Sequence, residues 1–165
     1  MGVARLQAIE KLVKVDHIAQ CAALMIAAPP WRDLGFTYEG CLEDLNLPDL
    51  DVHGVLDESG DVLAFVATLA HGAGLEPMVE YICVAPQLRG SGLGTRLLTY
   101  VHEDLFPRAV NIYMFVSDIN SDAERLYRRL GYDRVGALPD YNLTGQTEYL
   151  LRKTSGPIRS RAVTQ

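Results

Sequence analysis

Val84-Ala85-Pro86-Gln87-Leu88-Arg89-Gly90-Ser91-Gly92-Leu93-Gly94-Thr95 decides how this chain is read. The stretch stands between the apolar run Met78–Val84 and a stripe of Leu93, Leu97, Val101 and Leu105 that recurs every four residues. The run reads as a strand stopped by Pro86, and the stripe as an amphipathic helix ended by Pro107. Gly90, Gly92 and Gly94 let the backbone approach a ligand closely, so several N–H groups can point at one anion. The start of the helix adds its positive end, and Arg89 is placed to neutralise a phosphate. The turn is therefore expected to hold a phosphate-rich ligand.

Working outward, the chain reads as helices, then a strand meander, then strand–helix–strand–helix–strand. Residues 3–9 read as a first strand, and Asp16 as the N-cap of a helix that Pro29-Pro30 end near Ala27. A second helix is expected over Tyr38–Leu45, closed by Asn46 and Pro48. Val52–Leu56 and Val62–Leu69 read as a hairpin around Asp57–Asp61. Val110, Ile112, Met114 and Val116 alternate on one face of a strand. Ser121–Leu130 is expected to be helical with Gly131 as its stop, and residues 132–138 and 146–152 read as closing strands. This order predicts an α/β (α+β) sheet with helices on both faces.

Composition narrows the function. The 165 residues are 48% hydrophobic and 22% charged, as in a globular domain. The formal charge of −6 argues against nucleic acid as the main partner. No apolar run has the length of a membrane span, and Ile18–Ala28 reads as part of a helix rather than as a signal peptide. Cys21, Cys41 and Cys83 have neither zinc spacing nor an even count, so a reducing cytoplasm is the expected setting. The four histidines are scattered and receive no chemistry. A P-loop would need a lysine where Thr95-Arg96 follows Gly94, and a dinucleotide fingerprint would need Gly-x-Gly-x-x-Gly where this turn has Gly-x-Gly-x-Gly.

Gln87-Leu88-Arg89-Gly90-Ser91-Gly92 resembles the Gln/Arg-x-x-Gly-x-Gly/Ala signature of the GNAT superfamily of N-acetyltransferases. Downstream, Asn120, Ala123, Leu126-Tyr127 and Leu130-Gly131-Tyr132 resemble the same family's Asn-x-x-Ala-x-x-Leu-Tyr-x-x-x-Gly-Phe/Tyr helix. The two motifs cover about residues 78–132, and the first fifty residues agree only in outline. The resemblance implies a mixed, mostly antiparallel twisted sheet of six to seven strands. It also implies one domain over residues 1–153, with a basic tail over 154–165.

By that resemblance the co-substrate is acetyl-CoA, and acetyl passes directly to an amine within a ternary complex. The backbone of Ile82, Cys83 and Val84 would pair with the pantetheine arm where their strand splays from Val110–Val116. Gln87 belongs to the same signature, and the amides of Arg89, Gly90, Ser91, Gly92, Leu93, Gly94 and Thr95 would hold the pyrophosphate. Tyr127 corresponds to the tyrosine that many members use to protonate the departing thiolate. Asn120 would contact the coenzyme or cap the last helix.

A lysine-like amine must lose a proton before it attacks, which takes about 4–5 kcal/mol at pH 7. Glu80, placed by alternation on a face with Ile82 and Val84, is the candidate base. Phe115, Ser117 and Asp118 stand where other members carry a base on the next strand. Cys83 is read as a small buried residue rather than a nucleophile.

In this family the first two helices wall the acceptor site. The acid-rich run Glu39–Asp51, with Trp31 and Tyr38 nearby, suits a cationic small-molecule or peptide amine. The protein is expected to act as a monomer or homodimer, away from membranes and nucleic acid. The alternative is an inactive acyl-CoA-binding or regulatory protein of the same fold, against which the intact Tyr127 argues.

Overall fold

Apolar residues alternate along the central strands, so each strand feeds two cores, one on either side of a single sheet. The computed structural model describes residues 8–159. These run β1 (Ile9–Lys11), α1 (Val15–Ala27), α2 (Pro29–Asp33), α3 (Tyr38–Leu45), β2 (Leu50–Leu56), β3 (Val62–Ala73), β4 (Glu76–Val84), α4 (Leu93–Tyr100), β5 (Asn111–Ser117), α5 (Ser121–Arg129), β6 (Tyr132–Pro139) and β7 (Thr147–Thr154). The seven described strands form one sheet in the order β1-β2-β3-β4-β5-β7-β6. Every neighbouring pair is antiparallel except β4 and β5.

Strand β3 shows how the two cores divide. Phe65 and Ala67 face α1 and α3, where Cys21, Met25, Cys41 and Leu45 are buried. Ala64 and Val66 face the opposite way and pack with Leu97 and Leu98 of α4, Met114 of β5 and Tyr127 of α5. The expected architecture is present: a mixed, mostly antiparallel sheet with helices on both faces. No described helix is long and apolar enough to cross a membrane.

The elements depart from expectation in four places. The strand expected over 3–9 falls almost entirely outside the described residues, and the strand that is seen occupies Ile9–Lys11. Helix α1 is capped at Lys14, with no side-chain cap, and Asp16 lies inside its first turn, where a carboxylate still favours the helix N-terminus. Pro29-Pro30 end α1 as expected but also open α2, because proline lacks an N–H that a first helical turn does not use. The helix expected through Leu105 changes to a π turn over Val101–Leu105, closed by Phe106 N–H donating to Val101 O at 3.0 Å.

Candidate active site

Strands β4 and β5 pair only at Met78 with Tyr113 and at Val79 with Met114. Beyond these residues the two strands part, and the edge of Glu80–Val84 that faces β5 has no strand partner. Its other edge remains paired with β3, from Tyr81 with Ala67 to Val84 with Ala64. A free backbone edge inside a cleft is a place for an extended ligand to bond.

At the top of the cleft sits the glycine bend. Pro86–Leu88 form a 3-10 turn, and Gly90 and Gly92 take φ of +76° and +89°, a conformation that strains any residue with a Cβ. Gly92 caps α4, and Arg96 N–H is the first helical amide to bond back, to Gly92 O at 3.0 Å. Leu93, Gly94 and Thr95 thus precede the helical ladder with their amides available. The amides of Arg89 and Ser91 are used within the bend, donating to Pro86 O at 3.4 Å and to Leu88 O at 3.2 Å. Of the amides expected to serve as donors over Arg89–Thr95, those of Gly90, Gly92, Leu93, Gly94 and Thr95 are left without a backbone partner. Gly94 has a different reason to be glycine: a Cβ there would lie 3.3 Å from Leu126 of α5.

Two cavities open from this cleft. One of about 500 Å³ runs beside the bend and is lined by Cys83, Val84, Arg89, Gly90, Gly94 and Leu126 among others. The second, about 350 Å³, lies on the far side and is lined by Glu80, Tyr81, Phe36, Phe115, Tyr141 and Glu148 among others. Pro30, Trp31, Ile82, Asn120 and Tyr127 border both. Gly92, Leu93 and Thr95 line a smaller recess on the outer side of the bend. Gln87 and Ser91 are exposed and line none of these spaces.

Tyr127 is 6% exposed at the junction of the two cavities. Burial first, and the nearby Cys83 second, push its phenol above the ordinary tyrosine value, so it stays protonated. Helix α5 holds it there, and Asn120 caps that helix by accepting from Ala123 N–H at 3.4 Å. Burial also pushes the Cys83 thiol up to about 12, and its Sγ donates to Leu24 O at 3.5 Å. A thiol so held is no nucleophile at neutral pH.

Glu80 reaches the second cavity by a different geometry from the one expected. The β3–β4 register jumps from Tyr81 opposite Ala67 to Val79 opposite Thr68, leaving Glu80 as the extra residue of a β-bulge. The bulge interrupts alternation, so Glu80 does not share a face with Ile82 and Val84 by pleat. Its carboxyl is half-buried and lies above the usual carboxylate range, first because of burial and then because Asp44 repels its charge.

The acid run Glu39–Asp51 contributes less to this wall than expected. Only Asp44 turns toward it, accepting from Tyr81 Oη at 3.1 Å, while Glu39, Glu43, Asp49 and Asp51 are exposed. Asp51 pairs with Lys11. Trp31 lines both cavities, and Tyr38 lines neither. Ser117, Tyr141, Asn142 and Glu148 were given no role from sequence. The available signal was one acid placed just before the apolar run Tyr149-Leu150-Leu151 of the closing strand.

Residues 49–134 match the family model described as an acetyltransferase (GNAT) domain. The N-alpha-acetyltransferase RimI of Mycobacterium tuberculosis is 32% identical over 140 residues, which cover 82% of each chain. An aminoglycoside 6'-N-acetyltransferase solved in complex with coenzyme A superposes with a TM-score of 0.71 at 17% identity, over 93% of this chain and 100% of that one. The ribosomal-protein-S18-alanine N-acetyltransferase of Escherichia coli gives 0.70 at 19% identity, over 95% and 99%. The two structures share the fold, and the family model and the mycobacterial relative settle the membership: the chain belongs to the GNAT superfamily and is an N-acetyltransferase.

Proposed function

We propose that the protein transfers acetyl directly from acetyl-CoA to a primary amine held in the Glu80 cavity. The observation that carries this reading is the meeting of two cavities at Tyr127, one lined by the glycine bend and the other by carboxylates. The larger cavity suits the coenzyme. Arg89 and the amides of Gly90, Gly92, Leu93, Gly94 and Thr95 would hold its diphosphate at the start of α4, and the unpaired edge of Ile82, Cys83 and Val84 would bond the pantetheine arm.

In the transfer, the amine nitrogen attacks the thioester carbonyl carbon, a C–N bond forms, the C–S bond breaks, and the sulfur leaves as a thiolate. Tyr127 gives that thiolate a proton. Its raised pKa keeps the proton on the phenol until the thiolate forms, and the same burial raises the proton affinity of that thiolate. The amine delivers its own proton to Glu80, directly or through water. A carboxyl above its usual range lies closer to neutral pH, where a base works best.

The acceptor is a primary amine on a cationic small molecule or peptide. The mycobacterial relative is named for acetylating α-amines, which favours a peptide N-terminus. The lining of the second cavity includes two carboxylates and no lysine or arginine, which favours positive charge. A screen of amines and peptides for acetyl-CoA-dependent thiol release tests the assignment; a protein that releases no thiol with any of them would count against it.

Tyr127→Phe is expected to lower kcat by about 10²–10⁴-fold, with acetyl-CoA affinity by calorimetry nearly unchanged. An unaltered kcat across the pH range would remove Tyr127 from the mechanism. Because the Glu80 carboxylate ionises only as pH rises, and a free amine forms unaided only at high pH, Glu80→Gln should reduce kcat/KM most between the titration of the carboxyl and that of the amine, and least beyond either. A deficit that is equal at every pH would make Glu80 structural. In the bend, Gly92→Ala puts a Cβ on a positive-φ residue at about 1–2 kcal/mol of strain. Acetyl-CoA should then bind at least about fivefold more weakly in calorimetry, and undiminished affinity would show that the bend is not the coenzyme site.

A further inference from the structure

Glu148 is 4% exposed, yet it lines the acceptor cavity. It stands directly across from Ser117 in the β5–β7 register, so the two side chains share one face of the sheet. Glu148 Oε1 and Ser117 Oγ are buried without a hydrogen bond of good geometry, and the side chains that approach the carboxyl as donors, Ser117 and Asn142, are both neutral. Glu148 takes part in none of the ion pairs among the described residues. Arg152 follows it on the same face of β7, but four residues along a strand is about 13 Å.

An ionised carboxylate buried without a cation is costly, and a native structure retains such a group where something else supplies the missing partner. Burial raises the Glu148 carboxyl, Asn142 and Ser117 draw it back down, and Asp118 raises it again. Its surroundings have the form of a cation site. The Phe115 ring stacks on Tyr141 with centroids 5.4 Å apart, forming an aromatic wall. Asn142 and Ser117 add neutral oxygens beside the acid. Such a set receives an ammonium or guanidinium group through charge-assisted bonds, with aromatic faces favouring the same charge.

We propose that Glu148, with Ser117 beside it, binds a second cationic group of the acceptor, distinct from the amine that is acetylated at Glu80. The preferred acceptor is then a molecule with at least two positive charges, one at each carboxylate. This assignment rests on the acetyl-transfer reading for its meaning but is tested separately from it.

The probes are α,ω-diamines of about three to six carbons and the n-alkylamines of matching length, a range that brackets the reach of one side chain. Thiol release gives kcat/KM for each pair with wild type and with Glu148→Gln, which keeps the shape and removes the charge. Retained thermal stabilisation by acetyl-CoA shows that the variant is folded. Wild type should prefer the best diamine over its monoamine by about 10–100-fold. The variant should fall to the roughly twofold advantage of having two equivalent amines, mostly through KM. Ser117→Ala should reduce the preference less. A wild-type preference of only about twofold, or one that survives Glu148→Gln, would overturn the assignment.

If no amine releases thiol, the transfer reading fails for these acceptors, and calorimetry on the coenzyme-bound protein decides the role of Glu148. Diamine binding that the variant loses supports the site, and equal binding by both proteins rejects it.

Discussion

The parting of β4 from β5 after Val79 and Met114 is the constraint from which the rest of the site follows. Two parallel neighbours in the middle of a sheet would ordinarily bond along their whole length, burying their backbone groups against each other. Here only two residue pairs do so, and the remaining half of β4 keeps an unpaired edge inside the molecule. That arrangement is tolerable only if a ligand or water meets those groups. The glycine bend, the N-terminus of α4 and the capped start of α5 are all arranged around the resulting cleft.

Each face of the cleft has its own physics. Toward α4 and α5 the free amides of the bend and Arg89 suit an anion, with Asp33 and Asp122 also on that cavity's lining. Toward β7 it has Glu80 and Glu148, which suit a cation. Tyr127 stands between them, protonated because it is buried. The bulge at Glu80 places a carboxylate at the boundary, on a strand whose regular pleat would otherwise have fixed its direction. Under the proposed reading, an anionic donor and a cationic acceptor would each occupy the cavity that suits its charge and meet at this buried phenol.

The legible parts of the chain were those with a local physical cause. The end of α3 was legible because Asn46 and Pro48 close it, and the bend because its glycines, proline and arginine lie within twelve residues. What stayed hidden depends on pairing between distant segments. Nothing local marks a register jump opposite Thr68, so the alternation argument placed Glu80 on a face it does not share. The use of the Arg89 and Ser91 amides by carbonyls in the same bend is a matter of backbone conformation, which composition does not specify. Glu148 looked like an ordinary strand residue until β7 was set beside β5 and Ser117 came opposite it. Asp44 stood out from its acidic neighbours only when Tyr81 was found against it.

The central claim is that the bend at the start of α4 clasps the diphosphate of coenzyme A. A crystal structure of the protein with the coenzyme bound tests it most directly. Phosphate oxygens should lie within hydrogen-bonding distance of the amides of Gly90, Gly92, Leu93, Gly94 or Thr95, with the pantetheine arm along the free edge of Ile82–Val84. Coenzyme bound elsewhere, with those amides facing solvent, would contradict the account.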